Sequence, residues 1–555
     1  MITEFKNAAR EKDFPVRDLS FLFIAINAKY VHTNLAVRYL KNNCKQTSDF
    51  CEYSINDEQG KVLADILKRG VKNLLFSCYI WNIEYILKLC EVIKKADSSV
   101  TITLGGPEVS FDAEELLLKY EYIDFIVCGE GEPALDLLTD KILSYSGKRE
   151  VIKSDSFADL NKLAFPYENE DLSKLKGKIL YYETSRGCPY RCAFCLSGAS
   201  GKVRYLDINR VKREIDYFTE NSIPLVKLVD RTFNSDKNRA LEIINYIKKV
   251  SKKTTFHFEI KAEIMTDEIL ESLATAPKGL FQVEIGVQST NEDTLSGINR
   301  KSDFEKLSYV VRYLMGNDNI NVHLDLIAGL PGESLESFIK SFNDVLCLYP
   351  HVLQLGFLKK LKGAMIKTEG SEFTSFPPYE VIASDGMSYY DLLRLKKVEE
   401  VLEKYYNSGS FCGTMEYILK TYYKDNPFDF FDGLGTFFEE NKKASVSKKE
   451  QFEILKDYND ITFKDKNIEN NLVLDYCRMY RDNLSFMKQS PKLKERAFEF
   501  LKITDNVNKY FHDHEEILPT QLYKKVRFCE VGKKMYVFDY IKNKYYDITE
   551  DMPKG

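Results

Sequence analysis

The chain has 555 residues, 44% of them hydrophobic and 29% charged, with a formal net charge of −5. That length exceeds what one hydrophobic core organises and predicts about three domains at roughly 100–200 residues each. The acidic balance gives no electrostatic case for nucleic acid. No run of about 18 uninterrupted apolar residues is present for a membrane span, and the polar start MITEFKNAAREKDFPVRDLS lacks the apolar segment of a secretory signal. Twelve scattered cysteines in such a chain read as reduced thiols, so a cytoplasmic protein is expected.

Residues 1–148 alternate strand and helix. LSFLFIAIN is an apolar run of strand length, and TNLAVRYLKNN follows with helical spacing. NLLFSCYIWN, VTITLGGPEVS and IDFIVCGEGE repeat the pattern, each followed by an amphipathic segment such as IEYILKLCEVIKKA. Fully apolar strands alternating with helices predict a doubly wound, Rossmann-like parallel sheet covered on both faces. In such folds ligands lie beyond the carboxyl ends of the strands. The loops there hold Asn27, Ser77, Tyr79, Trp81, Gly105, Gly106, Gly129 and Gly131. Several glycines on one sheet edge point to a large planar or phosphate-bearing ligand, although any single one reads first as a tight turn. The G-x-G-x-x-G fingerprint of a dinucleotide site is absent.

A stretch rich in Ser, Asp and Lys, about 146–177, leads to a second domain at 175–365. KILYYETS, PLVKLVD, TFHFEIKAE, FQVEIGVQS, INVHLDLIAGLPGE and VLQLGFL are six strand-like runs separated by helical patterns. Six repeats predict a partial (β/α)6 barrel, with its chemistry at the C-terminal ends of the strands. The remainder, 366–555, is Tyr- and Lys-rich and mostly helical, as in DGMSYYDLLRLKKVEEVLEKYY. It ends in the alternating VRFCEVGKKMYVFDYIKNKYYDIT around a Gly-Lys turn. FHDHEE brings His512 and His514 two apart, a short cluster that reads as surface loop and claims no site.

Directly after the first barrel strand, ETSRGCPYRCAFCLSG places Cys188, Cys192 and Cys195 in eight positions. Structural zinc usually takes four Cys or His ligands, and no second pair or nearby histidine supplies the fourth here. A redox dithiol would use only Cys192 and Cys195 and leave Cys188 over. A 4Fe–4S cluster takes thiolates at its irons, and three thiolates leave one iron open for a substrate or cofactor.

C-x-x-x-C-x-x-C with Phe194 before the last cysteine resembles the radical S-adenosylmethionine (SAM) superfamily. The resemblance implies that Cys188, Cys192 and Cys195 hold the cluster. VKLVDRTFN resembles the second-strand region near the methionine end of SAM, with Asp230 as the polar contact. EIGVQS resembles the fourth-strand element, with Glu284, Gln288 and Ser289 facing cofactor or substrate. DLIAGLPGE resembles the fifth-strand turn, with Gly329 and Pro331 near the adenine.

A doubly wound domain carrying INAKYVHTNLAVRYL, SCYIWN, GGPE and GEGE ahead of such a barrel resembles the cobalamin-binding class of that superfamily. The D-x-H-x-x-G motif is missing, since His32 has no Asp two residues earlier and no Gly three later. Cobalamin bound base-off and without histidine ligation is therefore expected, held by the loop residues named above, with Trp81 either under the corrin or in the core. SFPPYEVIASDGMSYYDLLRLKKVEEVLEKYYNSGSF resembles a C-terminal domain (DUF4080-like) of a subset of these proteins. The resemblance implies cleavage of SAM to a 5′-deoxyadenosyl radical, methylation of an unactivated carbon or phosphorus, a flavodoxin or ferredoxin as electron donor, and an anaerobic or well-reduced cytoplasm. Two rivals are a cobalamin-dependent rearrangement or cyclisation, and a cluster-bearing RNA- or protein-binding module that would use Lys-rich stretches such as NKKASVSKKE.

Overall fold

The computed structural model describes residues 19–154, 156–167, 172–198, 202–442, 445–511 and 517–553. His512 and His514 lie outside them. The described residues fall into two compact units. One takes those up to Gly286 together with Ser296–Asn321 and Leu358–Ile382. The other takes Val287–Leu295, Val322–Phe357 and the described residues from Ala383 onward.

The first unit opens with six parallel strands, β1 (Phe21–Asn27), β2 (Ser48–Ser54), β3 (Asn73–Ser77), β4 (Thr101–Gly105), β5 (Phe125–Cys128) and β6 (Glu150–Lys153), in the order β2-β1-β3-β4-β5-β6. Five helices connect them: α1 (Leu35–Asn43), α2 (Gln59–Lys68), α3 (Ile83–Ala96), α4 (Ala113–Lys119) and α5 (Gly131–Leu143). All seven residues of β1 are buried because alternate side chains serve opposite faces. Leu22, Ile24 and Ile26 join a core with Val62, Ile66, Ile86, Cys90 and Leu117. Phe21, Phe23 and Ala25 join the other, with Val37, Leu135 and Leu138. The strand order changes direction between β1 and β3, the switch point at which doubly wound sheets leave a crevice.

The sequence reading missed β2 and β6, and both are sheet edges. SDFCEYS buries only Cys51 and Ser54, and EVIK only Ile152, so neither shows the apolar run of a central strand. β6 falls within the stretch read as linker.

All six strands expected of the barrel are present: β7 (Leu180–Tyr182), then, past the two-residue strands β8 (Ser185–Arg186) and β9 (Arg204–Tyr205), β10 (Leu225–Leu228), β11 (Thr255–Ile260), β12 (Phe281–Gln288), β13 (Asn321–Ala328) and β14 (Val352–Phe357). In the first unit β7 pairs with β10, β10 with β11 and β11 with β12, all parallel. In the second unit β13 and β14 pair parallel from His323 to Ala328. Helices follow the strands as the alternation predicts, including Ile208–Glu220 after β7 and Lys237–Val250 after β10.

The rest of the second unit is mainly helical: Tyr389–Val401, Cys412–Tyr422, Pro427–Asn441, Lys448–Thr462 and Lys466–Met479. Ser388 and Asp391 form a reciprocal capping box at the first of these, which fixes its start. The C-terminal strands Val526–Val531 and Lys534–Asp539 pair antiparallel around Gly532 (φ +62°), and Lys544–Asp547 adds a third. No helix among the described residues is long and apolar enough to cross a membrane.

Candidate active site

The C-terminal edge of the first sheet opens onto a cavity of about 700 Å³. Asn27, Ser77, Tyr79, Trp81, Gly105, Gly106, Gly129 and Gly131 all line it, so every loop residue singled out in the sequence of this domain converges on one space. The far wall comes from the strand ends of the barrel: Tyr181, Glu183, Arg186, Lys227, Arg231 and Glu259.

Local chemistry holds the rim in place. Asn82, fully buried, donates from Nδ2 to the carbonyls of Ile26 (2.9 Å) and Ser77 (3.0 Å) and accepts from the Tyr79 amide (2.7 Å). It thereby clamps the ends of β1 and β3 at the switch point, a role that the sequence reading did not assign. Asn27 donates to the His32 carbonyl (3.0 Å) and to Glu52 (3.2 Å), and Glu52 is held by buried Arg38 (2.8 Å). Gly106 sits at φ +111°, where a Cβ would lie 2.5 Å from the Cys78 carbonyl oxygen, so only glycine fits. Gly131 has a different cause: its Cβ would meet Leu40 at 3.1 Å, where α1 and α5 pack. Trp81 is 44% exposed and stacks on Tyr79 with centroids 4.4 Å apart and planes 7° apart. It is a wall aromatic and not a core one. The His32 ring nitrogen Nδ1 is hydrogen-bonded to the Tyr181 hydroxyl at 2.7 Å.

The GEGE loop contributes its acids as well as its glycines. Arg186, two residues before Cys188, contacts Glu183 (2.6 Å), Glu132 (2.8 Å) and Glu130 (3.3 Å). Burial opposes its charge, but Glu183 and Glu132 hold the guanidinium protonated beyond the ordinary arginine range. Arg204 also pairs with Glu130. Burial pushes the Glu130 carboxyl up, yet the two arginines beside it hold it below its usual value. The sequence reading missed Glu130, Glu132 and Arg186.

The cysteine turn begins at Gly187 (φ +102°). Cys188 is buried with its Sγ 3.5 Å from Thr232 Oγ1, Cys192 Sγ accepts from Arg300 Nη1 at 3.7 Å, and Cys195 Sγ accepts from the Ser197 amide at 3.4 Å. Ile298 and Asn299 pin the turn from outside: the Ala193 amide donates to the Ile298 carbonyl (2.8 Å), and Asn299 Nδ2 donates to the Arg191 carbonyl (2.7 Å). Among the described residues no three His, Cys, Asp or Glu side chains converge tightly enough for a single metal ion. The donor set instead suits a cluster: three thiols on one turn, each sulfur beside a hydrogen-bonding group.

Asp230, at the end of β10, is buried and accepts from the Thr184 amide (2.8 Å), Thr184 Oγ1 (2.6 Å) and Ser185 Oγ (2.6 Å). Burial raises its carboxyl above the usual value against these three bonds. The structure thus places it as the tie that sets the strand leading to the cysteines. Glu284 pairs with Lys227 (2.9 Å) and His257 (3.0 Å). Burial works to raise its carboxyl, but these partners outweigh it and hold the group ionised.

In the second unit Gln288 ends β12 at φ +73°. Buried Ser289 donates to Glu333 and lies 3.3 Å from Ser341 Oγ. Gly329 (φ +80°) and Pro331 form the turn after β13 that leads to Glu333. Glu333 is fully buried, its Oε2 has no hydrogen-bond partner among the described residues, and burial pushes its carboxyl up to about 7.

Comparison with known proteins matches three parts of the chain. A B12-binding domain model matches residues 22–139, a radical SAM superfamily model residues 182–345, and the model of a protein of unknown function (DUF4080) residues 369–547. The chain therefore carries these three parts in that order. It is 28% identical over 299 residues to the 2-(S-pantetheinyl)-carbapenam-3-carboxylate methyltransferase of Streptantibioticus cattleyicolor, covering 48% of this chain and 43% of that one. It is 26% identical over 323 residues to the cobalamin-dependent radical SAM methyltransferase TokK of Streptomyces tokunonensis, covering 51% and 47%. The chain thus spans less than half the length of these relatives. Its fold resembles that of the cobalamin-dependent SAM radical enzyme OxsB, solved with aqua-cobalamin and SAM bound, with a TM-score of 0.54 and 16% identity over 90% of this chain and 84% of that one.

Proposed function

We propose that the protein is a cobalamin-dependent radical SAM enzyme that methylates an unactivated carbon or phosphorus. The observation that carries this reading is the single cavity in which the loops of the B12-binding domain face the barrel strand ends that lead into the cysteine turn. When bound, the cluster supplies the electron that cleaves SAM to a 5′-deoxyadenosyl radical, and cobalamin supplies a methyl carrier.

The chain's own residues supply position. Cys188, Cys192 and Cys195 would hold the cluster, with Arg300 and the Ser197 amide donating towards two of the sulfurs. Asp230 fixes the preceding strand through Thr184 and Ser185. Asn27, Ser77, Gly105, Gly106 and Gly129 would border cobalamin, with the Tyr79–Trp81 stack as its flat neighbour. The missing D-x-H-x-x-G motif around His32 supports the base-off, histidine-free state. A reduced flavodoxin or ferredoxin in an anaerobic cytoplasm would deliver the electron.

Anaerobic reconstitution with iron, sulfide and hydroxocobalamin, then incubation with SAM and dithionite, tests the reading. About four irons and one cobalamin per chain are expected, with both 5′-deoxyadenosine and S-adenosylhomocysteine released. 5′-Deoxyadenosine without S-adenosylhomocysteine would favour rearrangement or cyclisation. A cluster without cobalamin would overturn the methyltransferase reading, and the absence of any cluster would overturn the whole assignment.

A further inference from the structure

Cys477 and Cys529 stand 52 residues apart in sequence, and their sulfurs meet at 3.2 Å. Cys477 lies near the end of the helix Lys466–Met479, and Cys529 lies in the strand Val526–Val531. Both are fully buried, in a small core with Val473, Val531 and Phe538. A thiol there reads first as a small hydrophobe. The surroundings are more polar than that reading requires. Gln489 Nε2 donates to Cys529 Sγ (3.5 Å) and accepts from the Glu530 amide (3.1 Å) through its carbonyl. Arg527, two residues before Cys529, is anchored on the Tyr480 carbonyl and on Asn483 (2.7 Å). On the helix side the Tyr540 hydroxyl donates to the Cys477 carbonyl (2.7 Å). Two thiols on different elements, with backbone and flanking side chains held on both sides, are already near the sulfur separation of a disulfide, which is about 2.05 Å.

We propose that Cys477 and Cys529 form an oxidisable dithiol that closes to a disulfide and fastens the helix to the C-terminal sheet. Peroxide is the oxidant. The Cys529 sulfur attacks one peroxide oxygen, the O–O bond breaks, and a sulfenic acid and water result. The Cys477 sulfur then displaces the second oxygen as water, so that two thiols and one hydrogen peroxide give one disulfide and two waters. Hydrogen bonding from Cys477 and the nearby Arg527 lower the Cys529 thiol from its ordinary range, which favours it as the first to react.

The test uses the full-length, reduced protein. It is treated anaerobically with one equivalent of hydrogen peroxide, alkylated and mapped by mass spectrometry. A cross-linked peptide pair containing Cys477 and Cys529 is expected, and it should disappear on reduction. The thermal midpoint of the oxidised protein should rise by about 5 °C or more, since the cross-link closes a 52-residue loop. Cys477→Ala should lose both the cross-link and the rise, and Cys529→Ser serves as the second variant should the first fail to fold. Alkylation of both thiols after treatment, or a sulfinic acid on Cys529 with Cys477 left free, would overturn the proposal.

Discussion

Arg186 and Glu132 meet at 2.8 Å, which joins the loop after the fifth strand of the B12-binding domain to the residue two places ahead of Cys188. The same guanidinium reaches Glu183 and Glu130, the latter shared with Arg204, so three carboxylates meet one cation with only 21% of its side chain exposed. Removing one member of such a set leaves uncompensated charge, and that loss outweighs the worth of the pair itself. Arg186→Ala should destabilise the protein by about 3 kcal/mol and lower both iron and cobalamin content after reconstitution. Arg186→Lys, which keeps the charge but not the fork geometry, should recover most of the stability and less of the cofactor content. Urea unfolding and metal analysis on the two variants check this; equal cofactor loading in all three proteins would refute the linkage.

Arg300 donates to Cys192 Sγ at 3.7 Å and also to the Gly286 carbonyl. Hydrogen bonds to cluster sulfurs stabilise the reduced, more negative state and raise the potential. Arg300→Met should therefore make the reconstituted cluster harder to reduce, with a more negative midpoint in an anaerobic titration followed by electron paramagnetic resonance. Its iron content should stay near that of the parent. An unchanged midpoint would show that the donor does not act on the sulfur.

The central strands, the six barrel strands and the cavity loops were legible because each repeats a local signal: an apolar run, a helical period, a glycine pair beyond a strand end. Cys188, Cys192 and Cys195 stand out in the sequence by their spacing. What escaped was set by tertiary partners. β2 and β6 are edges with polar faces. Asn82 bonds two carbonyls brought together only when β1 and β3 pair. Glu130 and Glu132 looked like spacers between turn glycines, and their partner Arg186 lies more than fifty residues on. Asp230 was singled out as a polar contact for SAM, and its three donors come from residues that the sequence does not place beside it.

Gly106 and Trp81 separate two ways of disturbing the cavity. Gly106→Ala puts a methyl group 2.5 Å from the Cys78 carbonyl oxygen at φ +111°, so the loop after β4 must move. A loss of about 2 kcal/mol in stability and failure to retain hydroxocobalamin are expected together. Trp81 is 44% exposed and its ring stacks only on Tyr79 among the described aromatic contacts, so Trp81→Ala should cost at most about 1 kcal/mol. Cobalamin affinity should nevertheless fall about tenfold, equivalent to about 1.4 kcal/mol of lost contact. Equilibrium titration beside thermal melting distinguishes the two. If Trp81→Ala binds as the parent does, the stack is not part of the corrin site.

Glu333 gives the protein a stability term that depends on pH. Its carboxyl is fully buried, bonded to Ser289 through one oxygen and unpaired at the other among the described residues, and burial lifts it to about 7. In the unfolded chain a glutamate titrates near 4.3. Between these two values the folded protein binds more protons than the unfolded one, so stability from this group falls as pH rises through that window. Below about pH 4 both states are protonated and nothing is lost. Above about pH 7 the folded protein carries the whole cost of a buried carboxylate, up to about 4 kcal/mol. Glu333→Gln keeps an acceptor for Ser289 and removes the titration. The variant should match the parent near pH 4 and exceed it at pH 8, by a difference that grows through pH 5, 6 and 7. Urea unfolding of both proteins across that range measures the difference directly. A parallel pair of curves would mean that Glu333 ionises near its ordinary value, and that the second oxygen finds a donor in solution.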